Sequence, residues 1–174
     1  RGIGRATAEA FIRQGMKVAI GDLDLAEAQR AADQLGAGTI AVELNVTDKG
    51  SIERFLAETE SQLGPVDVLV NNAGIMQLGR FWEEDDATAK RMVDINLHGV
   101  IWGSKLALQR MIPRGRGAIV NIASQAGLYG APGGATYSAT KHGVVGLSEA
   151  IRGELRLAGH NAIQVSYVCP VVVN

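Results

Sequence analysis

Apolar positions recur along this chain in two alternating rhythms, and the alternation predicts a layered α/β fold. Residues 5–14 carry apolar side chains every three to four positions and are closed by Gly15, the pattern of a helix with a glycine C-terminus. Residues 17–21 are a short apolar run, and 24–35 return to helical spacing before Gly36. The pair repeats as strand 39–44 and helix 49–63, with Gly64 and Pro65 behind it, and then as the apolar strand 66–70. A long helical stretch over 85–111 is expected to stop at Pro113. Strand 118–122, helix 136–157 and strand 162–168 complete the order. Short strands that are apolar on both faces fit a parallel sheet covered by helices, so the expected class is α/β with a doubly wound parallel sheet.

Nothing divides the pattern: no repeat, linker or charge run interrupts it, and residues 1–174 read as a single domain. Both ends look cut. Gly2-Ile3-Gly4 enters a helix with no strand before it, and Asn174 follows directly on a strand. A dinucleotide fold feeds its glycine turn from a first strand, so the pattern reads as an internal piece lacking the first strand and the C-terminal elements.

Composition narrows the function. A net charge of −1 gives no basic field for nucleic acid or an anionic membrane. No apolar run approaches the roughly 20 residues of a membrane span. The 22 glycines fall at segment ends and in a few loops, as many tight strand–helix turns require. The single Cys169 makes an internal disulfide impossible, which fits a reducing, cytoplasmic setting; its place beside Pro170 suggests packing at a strand end. His98, His142 and His160 have no metal-ligand spacing, and Glu83-Glu84-Asp85-Asp86 reads as a solvated loop and helix start, so no metal is expected.

Several polar residues carry candidate chemistry. Gly2-Ile3-Gly4 at a helix start lets backbone approach a pyrophosphate and offers free N–H groups to it; helix capping is the simpler alternative. Asp22 lies 18 residues beyond Gly4, where a carboxylate can accept from both hydroxyls of an adenosine ribose and repel a 2′-phosphate. Asp24 is expected to cap the following helix, leaving Asp22 free. Arg1 pulls toward a 2′-phosphate, but the balance favours NAD over NADP. Asn71-Asn72-Ala73-Gly74 closes an apolar strand with groups able to face a cofactor.

Tyr137 and Lys141 stand one helical turn apart on one face. A phenol with a pKa near ~10 is about 0.1% ionised at neutral pH. An ammonium about 4 Å away, at an effective dielectric of ~20, favours the phenolate by roughly 4 kcal/mol, or about three pKa units. That suits a general acid/base. Ser124, just past strand 118–122, can hydrogen-bond a substrate carbonyl or alcohol at the carboxyl edge of the sheet. Asn96 is an awkward residue inside a helix unless its side chain is used. It can hold a water against Lys141, or it can be a satisfied core amide.

In this order, Gly2-Ile3-Gly4, Asp22, Asn71-Asn72-Ala73-Gly74, Asn96, Ser124 and Tyr137-x-x-x-Lys141 resemble the short-chain dehydrogenase/reductase family over essentially the whole chain. The resemblance implies a Rossmann-type domain with Tyr137 as acid/base, Lys141 on the nicotinamide ribose, Ser124 on the substrate oxygen and Asn96 in a proton relay. It also implies Asn72, Ala73 and Gly74 on the cofactor, Asn45 and Val46 beside adenine, and Pro170 and Val173 at the nicotinamide. Three departures stand out. The first glycine of the phosphate turn is missing, Asn45 replaces a common Asp while keeping an acceptor, and Val171 follows Pro170 where glycine is common.

The expected activity is hydride transfer between a nicotinamide cofactor and an alcohol or ketone. A non-catalytic NAD(P)-binding sensor or scaffold is the alternative, as is a dehydratase or epimerase of the same fold. Met76, Leu78, Gln125, Ala126 and Leu128 suggest a mainly apolar pocket. Trp82 and Trp102 are expected to pack, although Trp82 can also reach a substrate. The family usually pairs helices such as 85–111 and 136–157 across a two-fold axis, implying a homodimer or homotetramer.

Overall fold

A computed structural model of the chain describes residues 2–36 and 38–171. The chain divides into two compact units, Arg1–Val66 and Asp67–Asn174. The first contains α1 (Gly2–Arg13), β1 (Val18–Asp22), α2 (Leu25–Leu35), β2 (Thr39–Glu43) and α3 (Lys49–Leu63). β1 and β2 pair in parallel and bring Asp22 opposite Glu43 at their carboxyl ends. Both later helices start on a side-chain cap: Asp24 accepts from the Glu27 N–H at 3.1 Å and Asp48 from the Gly50 N–H at 2.8 Å. Their apolar stripes supply the core of this unit, with Ala28, Ala32, Ile52, Phe55 and Leu56 buried beside Val42 of β2.

The second unit contains β3 (Val68–Asn71), α4 (Asp86–Val93), α5 (Gly99–Arg114), β4 (Gly117–Ile122), α6 (Ala135–Leu157) and β5 (Ile163–Val168). Its sheet has the order β3-β4-β5, parallel throughout. Parallel strands alternating with helices in both units make this the α/β, Rossmann-type architecture that the apolar pattern predicts.

The stretch 85–111 is not one uniform helix. Asp94–His98 forms a π-turn in which the Gly99 N–H reaches back to the Asp94 carbonyl. The helix also runs through Pro113 instead of stopping there. Proline in the last turn removes one backbone bond with little helix left to disrupt. Gly115 ends the element in the left-handed region, φ 68°, and its N–H bonds to the Ile112 carbonyl at 3.0 Å.

Four buried or half-buried polar side chains tie the second unit together. Asn71 Nδ2 donates to Asn121 Oδ1 at 2.8 Å and to Ser104 Oγ at 3.2 Å, and Asn121 Nδ2 donates to Ser148 Oγ at 2.9 Å. Asn121, Ser104 and Ser148 have no exposed surface, so each depends on these partners. Two strands and two helices are locked in register by this network. The readable signal was a lone Asn121 within the apolar run of β4.

Met92, Val100, Leu106 and Val144 are buried inside the second unit. The apolar excess on 85–111 and 136–157 is therefore partly used by this unit's own core. Ile101, Trp102, Leu108, Val145, Leu147 and Ile151 remain half-buried. Cys169, a free thiol, packs against the cluster of Val100, Ala123 and Val144, as its strand-end position suggested.

Candidate active site

The chemistry of the second unit centres on Lys141. Its side chain comes off α6 into the protein and is only 4% exposed. Nζ donates to the Ile122 carbonyl, at the end of β4, at 2.8 Å. Burial pulls the ammonium down to about 8 from its ordinary 10.5, and the nearby Cys169 offsets part of that. The charge is thus present at neutral pH but held in a place that disfavours it.

Tyr137, one turn earlier on α6, is half-buried, and Lys141 Nζ lies 5.7 Å from its ring centroid. The pair shares one face, as the spacing predicted. Ser124 stands two residues beyond Ile122. Its Oγ accepts from the Ala126 N–H at 3.1 Å, which fixes the oxygen and leaves the hydroxyl proton available to a ligand. The short 3-10 turn that follows, Gln125–Gly127, packs directly on α6. A Cβ at Gly127 would fall 2.7 Å from the Lys141 carbonyl oxygen, so only glycine allows this approach.

Asn96 sits in the π-turn with no exposed surface. Its amide clasps the backbone of Ile75: Oδ1 accepts from the Ile75 N–H at 2.8 Å, and Nδ2 donates to the Ile75 carbonyl at 2.8 Å. The other Nδ2 proton goes to Thr140 Oγ1 at 3.2 Å. Both amide protons are thus taken by protein, as a satisfied core amide requires, while Oδ1, with one bond accepted, keeps a second lone pair. Gly74 closes the corner, since a Cβ there would meet Asn96 Oδ1 at 3.3 Å and Lys141 Nζ at 3.5 Å.

Asn72, Ala73 and Gly74 are exposed beyond the carboxyl end of β3. Pro170 is tied to the same region, its carbonyl accepting from the Gln125 N–H at 3.0 Å. Val173 lies outside the described residues, as does Arg1. A buried ammonium, a glycine and a Ser124 hydroxyl proton with no partner among the described residues are chemically suited to the ribose-and-nicotinamide end of a dinucleotide.

The loops on either side of Gly79 and Gly133 expose several apolar side chains. The loop after β3 meets the loop before α6 where the Gly79 N–H bonds to the Gly133 carbonyl at 2.8 Å, and Glu84 accepts from the Thr136 hydroxyl. Met76, Leu78, Phe81, Trp82, Leu128 and Tyr129 are exposed on these loops. A Cβ at Gly134 would touch both Leu78, at 3.3 Å, and Tyr137, at 3.9 Å. Trp102 does pack, stacking on His98 at 5.6 Å between ring centroids, whereas Trp82 is 79% exposed and packs on little.

The remaining candidates lie in the first unit. Gly2-Ile3-Gly4 is the first turn of α1, which starts three residues earlier than expected. Its early N–H groups are those a helix leaves without internal partners. Asp22 is exposed at the end of β1, but it is not free: Oδ1 accepts from the Asp24 N–H at 3.0 Å. The acceptor kept by Asn45 is also occupied, because Oδ1 takes bonds from the Thr47 N–H at 3.0 Å and the Thr47 hydroxyl at 2.7 Å. Val46 is half-buried beside it. Short polar side chains in turns bond to backbone two residues on, and this local competition decides where both acceptors point.

Comparison with known proteins gives a consistent result. A family model described as short chain dehydrogenase matches residues 1–174. The sorbitol dehydrogenase of Cereibacter sphaeroides is 39% identical over 175 aligned residues, covering 100% of this chain and 67% of that protein. A protein of Xanthobacter autotrophicus named inactive 2-(S)-hydroxypropyl-CoM dehydrogenase 2 is 42% identical over 166 residues, covering 95% of this chain and 71% of its own. The crystal structure of a short chain dehydrogenase/reductase from Burkholderia phymatum in complex with NAD superposes with a TM-score of 0.94 at 33% identity. That match covers 98% of this chain, which spans only 62% of the solved one. With its whole length matched by the family model and its Tyr137, Lys141 and Ser124 gathered around one strand end, the chain belongs to the short chain dehydrogenase family.

Proposed function

We propose that the full-length protein is an oxidoreductase that moves a hydride between a nicotinamide cofactor and an alcohol or ketone, with residues 1–174 acting as a single dinucleotide-binding domain. The observation that carries this reading is the buried Lys141 ammonium, held by the Ile122 carbonyl and 5.7 Å from the Tyr137 ring. A buried charge that disfavours its own site is retained where something must be bound or stabilised by it. Here it would hold the nicotinamide ribose and stabilise negative charge on the phenol. When bound, the cofactor supplies or accepts the hydride. Tyr137 gives a proton to the substrate oxygen in reduction and removes it in oxidation, Ser124 donates its free hydroxyl proton to that oxygen, and Asn96 keeps Ile75 and α6 in place.

Asn72, Ala73, Gly74 and the loop at Pro170 and Val173 would hold the nicotinamide side. Gly2, Ile3 and Gly4 would take the pyrophosphate, Asp22 the adenosine ribose, and Asn45 and Val46 the adenine. Asp22 favours NAD over NADP, since its second carboxylate oxygen has no protein partner among the described residues. The exposed Leu78, which meets Tyr137 at Gly134, and the other apolar side chains of the same loops support a substrate with an apolar body. The half-buried apolar residues of α5 and α6 support a homodimer or homotetramer, testable by light scattering of the full-length protein. The free thiol of Cys169 supports a cytoplasmic location, and no described helix is long and apolar enough to cross a membrane.

A second reading, a non-catalytic cofactor binder, is favoured by one fact: a relative 42% identical to this chain is named inactive. A same-fold dehydratase or epimerase would return the hydride to its substrate. Assaying the full-length protein with NAD(H) and NADP(H) against a panel of alcohols and ketones separates the readings. Net cofactor turnover supports the first. Binding without turnover supports the second, and substrate conversion without net cofactor change supports the third.

A further inference from the structure

The side chain between Tyr137 and Lys141 that makes the most of its position is Thr140. It is 1% exposed, and its hydroxyl both gives and receives a bond: Oγ1 donates to the Tyr137 carbonyl at 2.7 Å and accepts from Asn96 Nδ2 at 3.2 Å. Asn96 in turn holds both backbone groups of Ile75 at 2.8 Å. One hydroxyl therefore connects three elements: the loop that follows Gly74, the π-turn of Asp94–His98 and the first turns of α6.

The direction of each bond is settled by chemistry. A carbonyl can only accept, so the Thr140 proton must go to Tyr137, and a lone pair must receive the Asn96 amide proton. Asn96 has two amide protons and one carbonyl oxygen. Two of these groups serve Ile75, and the second proton has only Thr140 to meet among the described residues. A methyl in place of the hydroxyl would strand that proton in a fully buried site, and the amide must then turn or shift. Either movement reaches Ile75 on one side and the corner of Gly74 and Lys141 Nζ on the other.

Resting on the oxidoreductase reading above, we infer that Thr140 is a positioning residue: its hydroxyl couples the Asn96 clamp to α6 and so sets the aim of Tyr137 and Lys141 against the cofactor strand end. It touches neither substrate nor cofactor, so its loss degrades alignment more than binding, and a misplacement of about 1 Å can lower a rate by roughly 100-fold.

The test uses the full-length protein with Thr140→Val, which keeps shape and removes the hydroxyl, and Thr140→Ser, which keeps the hydroxyl. For Thr140→Val, kcat should fall at least tenfold while the KM of cofactor and substrate stays within threefold, and Thr140→Ser should recover kcat to within twofold of the original. Amide exchange gives a readout that needs no turnover: protection at Ile75 should drop at least tenfold in the Val variant and be unchanged in the Ser variant. Thr140→Ala is read by the same criteria if the Val variant does not fold. An unchanged kcat in the Val variant, whatever its melting temperature, overturns the inference. So does a Ser variant as slow as the Val variant, or Ile75 protection that does not move. If the unsubstituted protein turns over nothing, the oxidoreductase reading fails on its own, while the exchange measurement still decides whether Thr140 governs the clamp.

Discussion

Two pairs of candidate residues, one in each unit, are held in opposite ways. In the first unit, Asp22 and Asn45 are fixed by bonds to groups two residues away, Asp24 and Thr47, and Asp22 is exposed. In the second, Asn96 and Lys141 are held by partners far along the chain, at Ile75, Thr140 and Ile122, and both are buried. Local, solvated groups can vary without disturbing the fold. Buried groups with distant partners cannot, because removing one leaves several others unpaired. On the proposed reading, cofactor choice and catalytic alignment should be separable: substitutions in the first set are expected to change recognition alone, and those in the second to change rate and stability together.

The largest expected effect is that of Tyr137→Phe. Only the phenolic hydroxyl is lost, so kcat should fall by about 100- to 10,000-fold while cofactor affinity stays nearly intact, as titration of NADH fluorescence would measure. A variant keeping more than a tenth of the rate would remove Tyr137 from the acid/base role.

Lys141→Met should lower both rate and cofactor affinity, since one ammonium serves both. Its pH behaviour sharpens the contrast. With the folded-state group at about 8, below its ordinary 10.5, the ammonium is charged below pH 8 and loses its proton above it. Cofactor affinity should therefore weaken as pH rises through about 8, a limb that Lys141→Met abolishes. Stability runs the other way. The unfolded chain binds the proton more tightly than the folded one between about pH 8 and 10.5, so this group's contribution to folding improves across that window. In melting curves without cofactor, the original protein should gain on the Met variant from pH 8 to pH 10. A constant gap would show that Lys141 is not buried as described.

Asn96→Ala is predicted to destabilise the protein by roughly 2 kcal/mol, because it removes the partners of the half-buried Ile75 N–H and carbonyl. Asp22→Ala should change stability by less than about 0.5 kcal/mol, as an exposed side chain with one local bond. It should narrow the preference for NAD(H) over NADP(H), which is expected at about 10- to 100-fold in kcat/KM for the original, mainly by improving NADP(H). An original protein that prefers NADP(H) would assign Asp22 another role.

Much of this was readable from residue order. α3 occupies 49–63 as predicted, because an amphipathic run bounded by Asp48 and Gly64 carries its own start and stop. The pairing of Tyr137 with Lys141 follows from helical periodicity alone. The π-turn was not readable, since a single widened turn leaves the apolar rhythm of 85–111 almost unchanged. Its one mark was Asn96, a polar residue at a buried helical position. The Asp22 bond and the Asn45 turn were missed for a different reason: each depends on backbone direction just past a strand, which apolar patterning does not encode.

Hydride transfer itself is tested most directly by following the label. The full-length protein and its Tyr137→Phe variant would be incubated with NADH carrying deuterium at the transferable position and with ketones of apolar body, and the products examined by mass spectrometry. Deuterium on the carbinol carbon, with one NAD formed per alcohol by the original protein and almost none by the variant, is the predicted result. Cofactor that binds and keeps its label, or label transfer undiminished without the Tyr137 hydroxyl, would contradict it.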